Sequence, residues 1–421
     1  MHGRLSELTP LLQTMPSGAG LSREPHEVYF SREAPRTDPS MRPVHAADRG
    51  ASLTGGANAD EPAKALGLAN RHMKVAFGIN LFPGSALLGR EDTGKFSDLV
   101  RMAEDYGAEA LGTYDSAFVG GDAYVRATIA AMASTRARVG LRPTNPLTRE
   151  PQVMASFLAS IDSLTGGRAF MDIGSGDSAV LNIGYKIASR ARLEDYVTCV
   201  RDLLATGTAT YQGRPQRVRW WREAVRPRIP ISLCAEGPKM LHLGGRIFDG
   251  VIAGTGLLPE IIQDTIARVH AGAREAGRDP SAVDIWFTTR TSLHEDRERA
   301  IANVKASVSS ILNHSMRQGL EGKHVPEDFR VKLQGYVDGY VLYDHVLNEG
   351  RNPQRMDQLG LTDYAIKRFA LAGNAGDWIA QIEALAEAGA AKLWIGPVGG
   401  RLDSQIHYMR ILGEQIMPHF V

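Results

Sequence analysis

In this 421-residue chain, hydroxyl, amide and charged side chains recur where short apolar runs give way to glycine or proline. The most pronounced such point is Gly174-Ser175-Gly176-Asp177-Ser178, directly after the apolar run Ala169–Ile173. Gly174 and Gly176 let backbone approach a ligand closely, Ser175 and Ser178 supply hydroxyls, and Asp177 suits a tight turn. A phosphate or a flat ring could rest there; taken alone, the same residues would also serve an ordinary strand-to-helix loop. Comparable ends occur at Tyr114-Asp115-Ser116, Arg142-Pro143-Thr144-Asn145, Glu236-Gly237-Pro238-Lys239, Gly254-Thr255-Gly256 and Arg290.

Glu236-Gly237-Pro238-Lys239 places proline early in a helical pattern, so the free backbone N–H groups of that helix start would attract an anion. Combined with Gly174–Ser178, this favours a phosphate-bearing cofactor that carries the chemistry while the protein orients it. Asp115, Arg142 and Arg290 are the ionisable candidates for catalysis; Arg142 could contact the cofactor, anchor a substrate or form a rim ion pair. His294 reads as a surface-loop histidine. No His or carboxylate cluster has metal-ligand spacing, and neither a Gly-x-Ser-x-Gly elbow nor a phosphate-binding Walker loop is present, so no metal site is expected.

The elements that must position these residues alternate regularly. Val75–Leu81, Ala110–Tyr114, Arg138–Arg142, Ala169–Ile173, Ile231–Ala235, Val251–Ala253, Val283–Thr289 and Lys392–Gly396 read as strands. Amphipathic helical patterns separate them, among them Phe96–Tyr106, Gln152–Leu164, Lys239–Ile247 and Arg297–Asn313. Eight such repeats predict an α/β fold, a closed (β/α)8 barrel with strand ends converging on one mouth; a doubly wound open sheet is the alternative. Two segments break the rhythm, a hairpin-like insertion at 206–228 and polar, glycine-punctuated helical pieces at 314–371. Residues 1–72 are too rich in Gly, Pro, Ser, Arg and Asp to bury a core and are expected to form a disordered tail, with translation beginning at Met73 the other reading.

Charge is balanced, 48 Lys+Arg against 47 Asp+Glu, so neither nucleic acid nor an anionic membrane is an expected partner. Cys199 and Cys234, the two cysteines, give neither a disulfide framework nor a metal site and suit a reducing cytoplasm. No apolar run approaches the ~20 residues of a membrane-spanning helix.

Three stretches carry a family resemblance: Thr144-Asn145-Pro146-Leu147-Thr148-Arg149-Glu150-Pro151, the run from Met154 to Arg168, and Ile173 to Ser178. Together they resemble the bacterial luciferase-like flavin oxidoreductases, in the branch similar to methylenetetrahydromethanopterin reductase, over Lys74 to Phe420. The resemblance implies that FMN or the deazaflavin F420 binds at the barrel mouth, against Asp115, Asn145, Gly174, Ser175, Gly176, Asp177, Ser178, Glu236, Gly237 and Lys239. Pro143, Thr144, Pro238, Gly254 and Thr255 complete the expected cofactor site. It implies an FMN-dependent monooxygenase acting with O2 on a small organic substrate, its flavin reduced by a separate reductase. F420-dependent hydride transfer is the alternative, and a non-catalytic flavin-binding protein a third reading. A homodimer, formed through helices of the early half of the barrel, is also implied. Relatives place a cis peptide at the end of the third strand, and because proline lowers the trans preference to about 0.5–1 kcal/mol, a cis Arg142–Pro143 bond is expected.

Overall fold

The computed structural model describes residues 73–81, 87–396 and 402–421; the expected tail at 1–72 lies outside them. Twelve strands occur among the described residues: β1 Ala76–Asn80, β2 Ala110–Thr113, β3 Arg138–Thr144, β4 Ala169–Ile173, β5 Thr208–Tyr211, β6 Arg214–Arg217, β7 Ile231–Ala235, β8 Gly250–Ala253, β9 Asp284–Thr288, β10 Arg290–Leu293, β11 Ala370–Gly373 and β12 Lys392–Ile395. Eight of them close into a parallel barrel in the order β1-β12-β9-β8-β7-β4-β3-β2, and helices cover its outside. The open-sheet alternative is thereby excluded.

Strand alternation sorts side chains between the barrel interior and the helix-packed shell. Ala76, Ala110, Phe170, Ile252, Trp286 and Trp394 fill the interior, while Leu111, Val139, Leu141, Met171, Ile231, Leu233 and Val251 join the surrounding helices. An eight-stranded barrel has room only for packed side chains, and two glycines create the space that the largest need. A Cβ on Gly78 would fall 2.6 Å from the Trp394 ring, and one on Gly112 would fall 2.7 Å from Arg142 Cβ.

The insertion at 206–228 is the expected antiparallel hairpin, β5 with β6, followed by a short 3-10 turn at Trp220–Glu223. Two differences from the sequence expectation concern the later segment. The helix beginning at Arg297 runs on to Met316, and Arg290 is the first residue of β10, paired in parallel with β11. β11, Ala-Leu-Ala-Gly, has no alternation of its own and exists because β10 supplies its hydrogen bonds. The helices Glu327–Asp338, Arg351–Gln358 and Thr362–Phe369 then build a second core with the long helix, including Val304, Val308, Leu312, Leu333, Tyr336, Met356 and Phe369. Arg368 fastens this cap to the barrel: fully buried, it donates through Nε and Nη2 to the Thr255 carbonyl at 3.1 and 2.8 Å and through Nη2 to the Lys323 carbonyl at 2.7 Å.

Glu104, near the end of the helix Arg90–Asp105, shows how loops below the barrel are held. Its carboxylate accepts from Thr135 N at 3.0 Å, Ala137 N at 2.6 Å, Ser134 Oγ at 2.9 Å, and also from Arg136 N. Burial alone would raise this carboxyl, but the converging N–H groups hold it at about 2 against an ordinary 4.5. Glu104→Ala strands these donors and is expected to cost on the order of 3 kcal/mol in denaturant unfolding at pH 7. Because the folded-state value is depressed, the contribution is present above about 4.5 and lost as pH falls toward 2. The gap between the two proteins should therefore narrow over that interval; a pH-independent gap would refute the role of the ionised carboxylate.

Candidate active site

The mouth is built from the carboxyl ends of the barrel strands. At the end of β3 the Arg142–Pro143 bond is cis, as expected, and the pairing with β4 shifts register between Leu141 and Thr144. The displaced backbone is tied to both neighbours, the Pro143 carbonyl accepting from Asp115 N at 2.9 Å and the Thr144 carbonyl from Gly174 N at 3.0 Å. Asp115 stays inside this tie: Oδ2 accepts from Thr144 Oγ1 at 2.7 Å and Tyr124 Oη at 3.0 Å. Asn145 turns its Oδ1 to the amides of Leu147 and Thr148 at 2.9 and 3.0 Å, leaving Nδ2 buried without a protein partner.

Arg142 points into the barrel. Its guanidinium lies 4.5 Å over the Trp394 ring, donates to Thr288 Oγ1, and has Nε 3.8 Å from Asp172 Oδ2. Burial pushes the Asp172 carboxyl up to about 7 although Arg142 opposes the shift. Arginine, with its far higher intrinsic value, keeps the charge of this pair.

In the β4 loop, Gly176 has φ +104°, and a Cβ there would fall 2.6 Å from Val180 Cγ2. Local backbone geometry thus requires this glycine, and a valine would cost folding as well as any ligand contact. Ser178 Oγ meets Ser116 Oγ at 3.1 Å, and the Ser175 carbonyl accepts from Ala188 N at 2.8 Å. Asp177 does something sequence spacing does not reveal. Its Oδ2 is 2.8 Å from His314 Nδ1 and its Oδ1 is 2.6 Å from Arg317 Nη1, while His314 Nε2 is 3.1 Å from Glu236 Oε1. One imidazole therefore joins the β4 and β7 ends. Burial disfavours its charge, but Glu236 and Asp177 overcome that and raise His314 to about 10; in return Asp177 is held well below the usual carboxylate range.

Gly254 makes room for this cluster, since a Cβ there would meet Glu236 Oε1 at 2.6 Å. Arg290 belongs to the same side of the mouth; Glu236 and Asp177 favour its charge against burial. Gly237 caps and Pro238 opens the helix Pro238–Ile247. Lys239 stands exposed on its first turn, away from the cluster. Thr255 turns its hydroxyl to the barrel helix Pro259–Glu275, 2.9 Å from Thr265 Oγ1, while its carbonyl is bound by Arg368 of the cap. His294 remains in a loop, accepting from Asp296 N at 2.9 Å. Sequence reading missed His314, Arg317, Tyr124, Asn80 and Trp394. A His and an Arg three residues apart at the end of a long helix were the available signal, but only the cap's fold turns them to the mouth.

Residues 75–392 match the luciferase-like monooxygenase family. The chain belongs to this family, and it is an oxidoreductase. It is 27% identical over 381 residues to the 5,10-methylenetetrahydromethanopterin reductase of Methanopyrus kandleri, covering 82% of this chain and 99% of that protein. It is 28% identical over 179 residues to an F420-dependent glucose-6-phosphate dehydrogenase of Nakamurella multipartita, covering 41% of this chain and 53% of that protein. Among solved structures, the coenzyme F420 dependent tetrahydromethanopterin reductase from Methanopyrus kandleri superposes with a TM-score of 0.63 at 24% identity, over 83% of this chain and all of that one. A flavin-type cofactor is common ground; among the described residues no helix is long and apolar enough to cross a membrane.

The His314 clamp has a measurable consequence. With a folded-state value raised from 6.5 to about 10, its contribution is fully present below about pH 6.5 and is lost as pH climbs to about 10. The melting-temperature difference between the protein and His314→Gln should be widest near pH 6.5 and shrink toward pH 10; a difference that grows with pH would contradict the clamp.

Proposed function

We propose that this oxidoreductase is F420-dependent and moves a hydride between the deazaflavin and a small organic substrate, in place of the FMN monooxygenation favoured by the sequence reading. The observation that carries the choice is the end-to-end similarity to the Methanopyrus reductase, an enzyme described as coenzyme F420 dependent.

The mouth fits such a group. Buried polar atoms without protein hydrogen-bond partners gather at the strand ends: Asn80 Oδ1, Asn145 Nδ2, Glu236 Oε2 and Arg290 Nε. Unsatisfied buried donors and acceptors carry a cost of about 1–3 kcal/mol each, which a bound ring with both carbonyl and N–H edges would relieve. Arg290, Arg317 and protonated His314 outweigh Asp177 and Glu236, a balance suited to an anionic cofactor. Asn80, Thr144 and Asn145 would hold the ring; Gly174–Ser178 and the start of the helix Pro238–Ile247 would hold phosphate. When bound, the deazaflavin supplies two-electron hydride chemistry without oxygen. Titrating F420 and FMN, oxidised and reduced, against the intrinsic tryptophan fluorescence decides the matter. We expect saturable F420 binding at one site per chain and no oxygen uptake; selective binding of reduced FMN with oxygen consumption would reverse the choice.

We further propose that the protein is a homodimer, joined through the helices Ala123–Ala133 and Pro151–Thr165. Their outward rows carry Val125 and Met132, and Val153 and Leu164, all exposed. The two charged residues of these helices, Arg126 and Asp162, are both buried. Adjacent uncharged faces with large exposed apolar side chains mark an interface, and a second copy supplies an identical surface for a two-fold contact. Sedimentation should give a dimer that Met132→Glu dissociates; a monomeric parent protein would end this proposal.

A further inference from the structure

The barrel has a second polar interior, toward the amino ends of its strands. A cavity of about 30 Å³ is lined there by Asp172, Ser232, Asp249, Asp284, Trp286 and Trp394, among others. Asp284 opens β9, Asp249 immediately precedes β8, and Arg138, which also lines the cavity, opens β3. Those three are half-buried, whereas Asp172, Trp286 and Trp394 are no more than 2% exposed. The cavity thus runs inward from the base of the barrel to fully buried groups.

Most of its polar groups are already engaged. Asp284 accepts from Lys392 Nζ at 2.6 Å and Trp286 Nε1 at 2.9 Å, with Arg138 Nη1 at 3.5 Å. Asp249 accepts from Arg201 Nη2 at 2.8 Å and Ile231 N at 3.0 Å, and also from Arg228. Two lining atoms are buried with no protein hydrogen bond: Asp172 Oδ2, an acceptor, and Trp394 Nε1, a donor. Arg142 stands beside both. Its guanidinium lies 4.5 Å over the Trp394 ring, and its Nε is 3.8 Å from Asp172 Oδ2, too far for a hydrogen bond.

We propose that this cavity is a water and proton site: an ordered water accepts from Trp394 Nε1 and donates to Asp172 Oδ2, and through it Asp172 exchanges a proton with solvent at the base of the barrel. Size and charge select water. A single molecule needs ~10–15 Å³ of such space, which the cavity provides. A metal or ammonium ion would meet Arg138, Arg142 and Lys392 and leave the Trp394 N–H unsatisfied; an anion would meet Asp172, Asp249 and Asp284. A small neutral molecule that accepts on one side and donates on the other satisfies both atoms. On release, the carboxyl O–H bond breaks, the bridging water gains that proton and passes one of its own outward, and Asp172 is left as a carboxylate beside Arg142. The charged and titratable groups around it are Arg138 and Arg142 from β3, Cys234 from β7, Asp249 before β8, Asp284 from β9 and Lys392 from β12. Burial keeps the Cys234 thiol protonated. Burial likewise dominates at Asp172 and carries it to about 7, opposed by Arg142, Arg138 and the Ser232 hydroxyl and reinforced by Asp284.

Nuclear magnetic resonance on the full chain, labelled with 13C at the aspartate carboxyls and 15N at the tryptophan indoles, tests both parts. The Trp394 indole N–H should show a cross-peak to a long-lived water, and one aspartate carboxyl should titrate near pH 7, apart from the ordinary aspartates at about 3.9. Asp172→Asn keeps an oxygen in place, so it should abolish that titration and retain the water cross-peak. Asp172→Leu removes the acceptor and should lose both. A Trp394 N–H without bound water in the parent protein overturns the proposal. So does an Asp172 carboxyl that fails to titrate within about one unit of 7, or a titration near 7 that survives in Asp172→Asn. The parent measurements stand by themselves if either variant does not fold.

Discussion

A protonated imidazole held between two carboxylates joins two strand ends of the barrel to the cap. His314 reaches Asp177 on the β4 loop with one ring nitrogen and Glu236 at the β7 end with the other. An ion pair in a half-buried setting stabilises only where geometry satisfies both partners, and here Arg317 takes the second oxygen of Asp177. The clamp also fixes the end of the helix Arg297–Met316, on which the second core is built. A cap with its own core could otherwise sit on the rim in several ways. The ion cluster, with Arg368 bound to the Thr255 carbonyl, selects one.

Beneath the clamp the barrel tolerates polarity because its small residues are placed to permit it. Gly78 and Gly112 yield the space that Trp394 and Arg142 occupy, and the arginine is held by an aromatic face, a threonine hydroxyl and a nearby carboxylate. The floor of the mouth is therefore cationic and aromatic, while its rim mixes acids and bases. Such an arrangement suits a flat, anionic ring system better than a metal or a hydrolytic nucleophile, because unpaired donors and acceptors point inward from several strands.

Much of the fold was legible because short, largely apolar runs of three to seven residues, separated by helical periodicity, leave few ways to bury both faces of a parallel sheet. The strand ends at Asp115, Asn145, Gly174–Ser178 and Glu236 were legible for the same reason: they interrupt those runs with glycine and polar groups. The cis Arg142–Pro143 bond was expected from a family resemblance combined with proline in that position. β11 was not legible, since Ala-Leu-Ala-Gly carries no period. The preference for FMN rested on a resemblance that covers both cofactors, and similarity to reductases is what supports the F420 reading proposed above.

By itself the sequence determined the (β/α)8 barrel and which glycine and polar residues stand at its strand ends, because hydrophobic period and turn residues are local properties. The partners of those residues were decided by tertiary structure alone. Asp177 meets His314 and Arg317 across about 140 positions of chain, and Arg142 meets Thr288 across 146. Whether a histidine is charged, as His314 is, or neutral, as His345 is, depends on which carboxylates and cations the fold packs around it. Those distances are set by closure of the barrel and docking of the cap, and no spacing along the chain encodes them.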